Sequence, residues 1–297
     1  MDATHGIEAP QALPQALPAS GYWRGVGRRL LRNPTAMAAA FILLAIVVLA
    51  LAAPWIAPAD PYRGSMLRRL RPVGDAVYLL GSDELGRDML TRLLYGGRLS
   101  LLIGVTPVVF AFVIGSVIGI AAGYVGGWFN AVVMRMIDVL FAFPSVLLAV
   151  ALSGALGAGM LNSIVALTCV FFPQIARVAE SVTTQIRHRD YIDAARMSGA
   201  SALTIVRVQI LGNVLGPIFV YATSLLSVSM ILASGLSFLG LGVRPPEPEW
   251  GLMLNALRNS LYVNPLVAAL PGIAIFTVSL SFNIFSDGLR AAMEVKE

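Results

Sequence analysis

Residues 190–199 read Asp190-Tyr191-Ile192-Asp193-Ala194-Ala195-Arg196-Met197-Ser198-Gly199, and the chain continues through Ala200-Ser201-Ala202-Leu203-Thr204-Ile205-Val206-Arg207-Val208-Gln209-Ile210-Leu211-Gly212-Asn213. This polar, arginine-bearing insert separates two apolar runs, at 160–181 and 214–236. Each run is long enough to cross a hydrocarbon layer, which takes about 20 apolar residues. A polar stretch of this length has no place in lipid, so it joins two spans outside the membrane and makes the chain polytopic. Ala194 and Ala195 favour helix and let another backbone come close. Asp193 falls in the opening turn of that predicted helix, where a carboxylate suits the helix dipole. Gly199 suits its end, because glycine has no Cβ to obstruct a left-handed turn. On residue types alone, a plain amphipathic surface loop accounts for the segment equally well.

Composition narrows the class. Of 297 residues, 57% are hydrophobic and 12% charged, and the mean hydropathy is +0.79, which is the profile of an all-α polytopic membrane protein. The single Cys169 excludes an internal disulfide, and His5 and His188 stand too far apart in sequence, without companions, to suggest a metal site. The only lysine is Lys296, so the chain has no phosphate-binding GxxxxGK[ST] loop and is no P-loop ATPase. Nucleophile-elbow and HExxH motifs are also absent. An enzyme is therefore not expected. The net charge of +5 comes mostly from arginines at segment ends, which points to topology and not to nucleic acid.

Six spans are predicted, at 35–56, 99–122, 132–153, 160–181, 214–236 and 265–286. They are framed by a tail with an interfacial amphipathic helix (1–33, disordered over 1–20), a first transmembrane helix (34–57), an outer loop (58–98), a five-helix core (99–290) and a tail (291–297). Six crossings put both termini on one side. The 58–98 and 177–212 loops, three spans apart, lie on opposite sides. Charge favours the side of the termini only weakly, with twelve arginines and lysines against nine. In the outer loop Ser82 is the expected N-cap of an amphipathic helix with Asp83 and Glu84 in its first turn and an Asp88–Arg92 pair. Further pairs one turn apart are expected at Arg135/Asp138, Arg177/Glu180 and Asp287/Arg290. Gly115, Gly119 and Gly123 place three side-chain-free positions on one helix face, either a contact within the chain or a seam with another subunit. Ser227 and Ser234 belong to a run of hydroxyls on the fifth span. They line a polar pathway or simply bond to their own backbone.

Motifs then add a resemblance. The 190–213 insert is similar to the EAA loop of ABC-importer permeases, with Gly212 where that family usually has proline. Leu80-Gly81-Ser82-Asp83-Glu84-Leu85-Gly86-Arg87-Asp88 resembles the LGxDELGRD outer loop of permeases in the dipeptide, oligopeptide and nickel ABC importers. Leu236-Ser237-Phe238-Leu239-Gly240-Leu241-Gly242-Val243-Arg244-Pro245-Pro246-Glu247-Pro248-Glu249-Trp250-Gly251 is similar to their PPxPEWG signature, and Asp287-Gly288-Leu289-Arg290 to their closing motif. The resemblance implies the ABC type I importer permease fold in a bacterial inner (cytoplasmic) membrane, with both termini cytoplasmic. It implies a heterodimer with a homologous permease, and a coupling loop at 182–213 in which Asp193, Ala194, Ala195, Arg196 and Gly199 meet one of two ATPase subunits. ATP and magnesium would sit on those subunits, leaving no cofactor in this chain. A periplasmic solute-binding protein would bring di- or oligopeptide substrate to an outer face marked by Pro245, Pro246 and an interfacial Trp250. Nickel import is the alternative within the family. A secondary transporter would want deep ionisable residues or inverted repeats, and a membrane scaffold would not need the EAA pattern.

Overall fold

A computed structural model describes residues 19–294. The disordered stretch expected over residues 1–20 lies outside them apart from its last two positions, as do the last three residues of the 291–297 tail. Helix α1 (Ala19–Leu31) leads through Asn33 into α2 (Pro34–Ile56). The Asn33 side chain accepts a hydrogen bond from the Ala36 amide at 3.2 Å. Pro34 occupies the first helical turn, where a missing N–H is not felt. After the outer loop come α3 (Met89–Val125), α4 (Gly127–Phe141), α5 (Ser145–Leu156), α6 (Met160–Ile186) and α7 (Asp190–Met197). The short α8 (Ala202–Thr204) runs through a π-helical turn, Ile205–Ile210, into α9 (Leu211–Phe238). Helix α10 (Trp250–Ala256), a 3-10 segment and α11 (Pro265–Met293) complete the described chain.

Five helical stretches are long and apolar enough to cross a membrane, and the α4–α5 pair counts as a sixth where its two halves are taken as one span. The third span therefore differs from the uninterrupted helix expected over 132–153. Its halves meet at 87°, because Pro144 offers no N–H and bars Phe143 from helical geometry. The span expected over 214–236 also starts earlier, at Ala202. Gly212 sits inside its first α9 turn with open space around it.

The outer loop needs a second correction. Ser82 caps no helix. Its hydroxyl accepts from the Arg71 amide at 2.9 Å and donates to the Arg68 carbonyl, pinning one strand of the loop to another. Helix α3 begins seven residues later, capped by Asp88, whose carboxylate accepts from the Thr91 amide at 2.8 Å. It then runs without a break into the second span, so the amphipathic segment expected on the membrane surface is the first turns of a 37-residue helix.

The expected one-turn ion pairs also fail to form. Asp138 pairs with Arg177 across α4 and α6, Glu180 accepts from Asn130 at 2.6 Å, and Arg290 turns to Glu294 at 3.4 Å. For Asp138 and Glu180 the better partner comes from a neighbouring helix, whereas Arg290 finds its own one turn on, at the end of α11.

The most extensive helix contact joins α3 to α6, and the glycine stripe makes it possible. A Cβ at Gly115 would stand 2.7 Å from the Phe172 carbonyl oxygen, and one at Gly123 would stand 2.8 Å from that of Glu180. Gly119 faces the Ala176 carbonyl and Ala179 in the same register. The stripe is thus a seam within the chain. Helix α9 packs on both partners, and Leu167, Phe171, Ile175 and Ile218 fill the shared core. Phe41, Leu44, Leu51, Val113 and Val117 point outward, as lipid-facing residues should. Gly119→Leu is expected to lower the thermal stability of the detergent-solubilised protein by about 1–3 kcal/mol or more through overpacking. Gly154→Ala, on α5 with open space around it, should leave the melting midpoint unchanged in the same assay.

Candidate functional site

Two regions carry the motifs, one at each end of the bundle. At the first, α7 stands out from the core on a single apolar root. Ile192 is fully buried in the α3–α6–α9 core, while Tyr191, Asp193, Ala194 and Arg196 are exposed and Met197 is 90% exposed. The helix ends in a Schellman turn. The Ala200 amide donates to Ala195 O at 3.1 Å and the Gly199 amide to Arg196 O at 3.0 Å, with Gly199 at φ +80°. A Cβ at Gly199 would meet nothing within 4 Å. The left-handed turn, and not crowding, is what asks for glycine there.

Arg196 links this helix to the rest of the fold. Its guanidinium pairs with Asp193 at 2.9 Å and lies 5.7 Å above the Tyr124 ring, in the last turn of α3. The ion pair is exposed and stays within α7, and the contact with the half-buried Tyr124 ring is the one that reaches α3; each is worth about 0.5–1 kcal/mol at most. Arg187 adds a tie from the end of α6 to the Gly123 carbonyl at 3.1 Å. Through Ile192, Arg196 and the neighbouring Arg187, α7 and its flank are in contact with α3, α6 and α9. Arg196–Tyr124 is a contact no local pattern in the sequence announces, because the two residues are far apart along the chain.

At the other end, the segment after α9 folds back onto the start of α3. Glu249 is 2% exposed and caps α10, accepting from the Gly251 and Leu252 amides at 2.9 and 2.8 Å and from the Ser100 hydroxyl at 3.0 Å. Trp250 was expected at the membrane interface. It is instead 3% exposed, and its indole N–H donates to Leu93 O at 2.9 Å. The indole fits because Gly96 and Gly97 leave room, with a Cβ at Gly97 only 3.1 Å from the ring. Trp250 is the anchor of the turn, and the exposed Pro245 and Pro246 form its outward surface.

The same clamp buries charges. Asp83 accepts from the Arg87 side chain at 2.6 Å and lies 3.4 Å from Arg92, with all three nearly inaccessible. Arg92 in turn donates to Pro61 O at 2.9 Å and to Pro246 O at 3.5 Å, and the Tyr62 hydroxyl donates to Glu247 at 2.9 Å. The LGxDELGRD loop is thereby fastened to the proline turn. Burial pushes the Glu249 carboxyl above the usual carboxylate range, and burial together with the adjacent Asp83 charge does the same for Glu84.

Ser227 and Ser234 are largely buried and border a groove of about 680 Å3 between α9 and α11. Ser227 also donates to its own helix, at Ser224 O, 3.1 Å away. Both readings of the hydroxyl run thus find an observation in their favour. Among the described residues no three His, Cys, Asp or Glu side chains converge to hold a metal ion.

The raised carboxyls give the outer clamp a pH signature. A folded carboxyl that keeps its proton to higher pH than the unfolded one contributes stability at low pH and loses it as pH rises through the raised value. Melting midpoints of the purified protein should therefore climb as pH falls from neutrality toward the ordinary carboxylate range. Glu249→Gln should flatten that slope, and adding Glu84→Gln should flatten it further. The amide cannot accept from both α10 amides, so Glu249→Gln should also cost about 0.5–2 kcal/mol at neutral pH.

Comparison with known proteins fits this geometry. Residues 115–295 match the family described as binding-protein-dependent transport system inner membrane component. Residues 21–72 match the N-terminal TM domain of oligopeptide transport permease C. The chain is 40% identical over 274 residues to the glutathione transport system permease protein GsiD of Pectobacterium atrosepticum, covering 92% of this chain and 91% of the relative. It is 38% identical to the di/tripeptide transport system permease protein DppC of Pseudomonas aeruginosa, covering 100% and 98%. The fold is also that of the inward-facing MetNI methionine ABC transporter, with a TM-score of 0.55 at 22% identity over 69% of this chain and 97% of that one. Such a permease sits in the inner membrane and works with a partner permease, an ATPase and a binding protein. By these matches the chain belongs to the binding-protein-dependent transport system inner membrane component family, as a permease subunit of the ABC-importer kind and not an enzyme.

Proposed function

We propose that this chain forms half of the translocation path of an importer for di- or oligopeptides, and that α7 is the handle by which ATPase subunits work it. The observation that carries the reading is the build of α7. One buried side chain, Ile192, roots it in the core, and an exposed face of Asp193, Ala194, Arg196 and Met197 is left free to dock. Ala195 lies half-buried against that core, and Gly199 closes the helix end so that its exposed tip stays short. The two ATPases bind ATP and magnesium, and this chain carries no cofactor. Both termini lie on the α7 side, which is cytoplasmic. The relatives named for glutathione and for di/tripeptides support a short peptide as the cargo.

A homologous permease completes the path as a heterodimer, and Ser227 and Ser234 contribute hydroxyls to it from the α9–α11 groove. A periplasmic solute-binding protein docks on the outer face at Pro245 and Pro246, which Trp250 holds in place from beneath. Docking and nucleotide then bias one equilibrium between inward- and outward-facing arrangements.

Two substitutions on the exposed face test the handle without touching its root. Asp193→Lys and Met197→Asp should each cut co-purification of the ATPase with the membrane-expressed permease about tenfold or more, while expression and melting of the permease stay near wild type. Undiminished ATPase retention in both would remove the coupling role. Peptide uptake into proteoliposomes holding this chain alone, without ATP, would overturn the importer reading altogether.

A further inference from the structure

The α7 end of the bundle holds a cavity of about 520 Å3 between α6, α9 and α11, bordered by Pro217, Tyr221, Ser224, Ser286, Asp287 and Arg290. Its size falls within the range of small-molecule sites, about 300–1,000 Å3. Most of its polar side chains are already engaged. The Tyr221 hydroxyl donates to Gln174 at 3.3 Å, Ser224 donates to Tyr221 O at 2.7 Å, and Ser286 meets Thr223 at 2.9 Å. Asp287 is the exception. Its exposed side chain has neither an ion pair nor a hydrogen bond among the described residues, since Arg290, three residues on, pairs with Glu294, which borders the same cavity.

We infer that this cavity binds a zwitterion of dipeptide length, with Asp287 receiving its ammonium group and Arg290 its carboxylate. The spacing fits. Side chains three residues apart on a helix start about 5–6 Å apart at Cβ, and an extended dipeptide separates its charged ends by about 7 Å. Arg290 is available for the task, since its pair with Glu294 is 71% and 69% exposed and such pairs hold weakly. A ligand carboxylate can replace Glu294 with a two-point contact to the guanidinium. Pro217 and the Tyr221 ring supply an apolar wall for a side chain. The inference rests on the reading that this end is cytoplasmic and deepens it, by assigning a place where an imported peptide lodges before release.

The test uses the assembled importer in nanodiscs, with dialanine, N-acetyl-dialanine and dialanine amide as probes and saturation-transfer NMR as the readout. Dialanine should bind saturably, and Asp287→Asn and Arg290→Gln should each raise its Kd about tenfold. Blocking the amine should weaken binding to the wild type and leave nothing further for Asp287→Asn to remove. Blocking the carboxylate should have the same relation to Arg290→Gln. Asp287→Glu and Arg290→Lys should recover part of the affinity. If either neutral variant fails to assemble, the blocked probes on the wild type still decide. No saturable binding by the wild type, or equal binding of all three probes, overturns the site. ATP-driven uptake in the same preparation separates the two readings: uptake without cavity binding sinks the site alone, and cavity binding without uptake sinks the importer reading alone.

Discussion

The close approach of α3 and α6 is the constraint on which the other placements depend. In a bilayer no hydrophobic force drives helices together, so backbones must come near enough for dispersion to act along their whole length. Gly115, Gly119 and Gly123 allow this by leaving the carbonyl ridge at Phe172, Ala176 and Glu180 unobstructed. With that seam closed, α9 finds a groove lined by both helices, and Leu167, Phe171 and Ile175 become a core instead of lipid-facing side chains. Ile192 then has a pocket to enter, which places α7.

The two ends of the seam are finished by different chemistry. At the outer end buried charges do the fastening, through Asp83, Arg87 and Arg92, together with the Glu249 cap and the Trp250 indole. A buried charge left without its partner is costly, so such a cluster tolerates little movement. At the α7 end the polar ties are few and weak, namely Arg196 over the Tyr124 ring and Arg187 on the Gly123 carbonyl. One end of the bundle is thus clamped by buried charge pairs, and the other carries a short helix held by one buried side chain and weak polar contacts.

Much of the architecture was legible beforehand. Five of the apolar spans, the polar insert and its helix, and the end of that helix at Gly199 follow from apolar run length and from the preferences of alanine and glycine. The same kind of reasoning misplaced the outer helix start. Ser82, Asp83 and Glu84 look like a cap and first turn, yet contacts with Arg68, Arg71 and Arg87 use those groups first. It also misassigned the charge pairs at Arg135, Arg177 and Arg290, because side-chain spacing along one helix says nothing about a neighbour such as Asp138 facing Arg177.

What the sequence alone determined is therefore the set of membrane crossings and the motifs between them, since hydropathy, capping and glycine tolerance act over a few neighbouring residues. What only the tertiary structure decided is which glycine face meets which helix, that Trp250 is an anchor and not a surface, and that Asp287 is left open beside Arg290. Those outcomes depend on the proximity of groups far apart in the chain. Burial and charge pairing are properties of that proximity, and no local pattern encodes them.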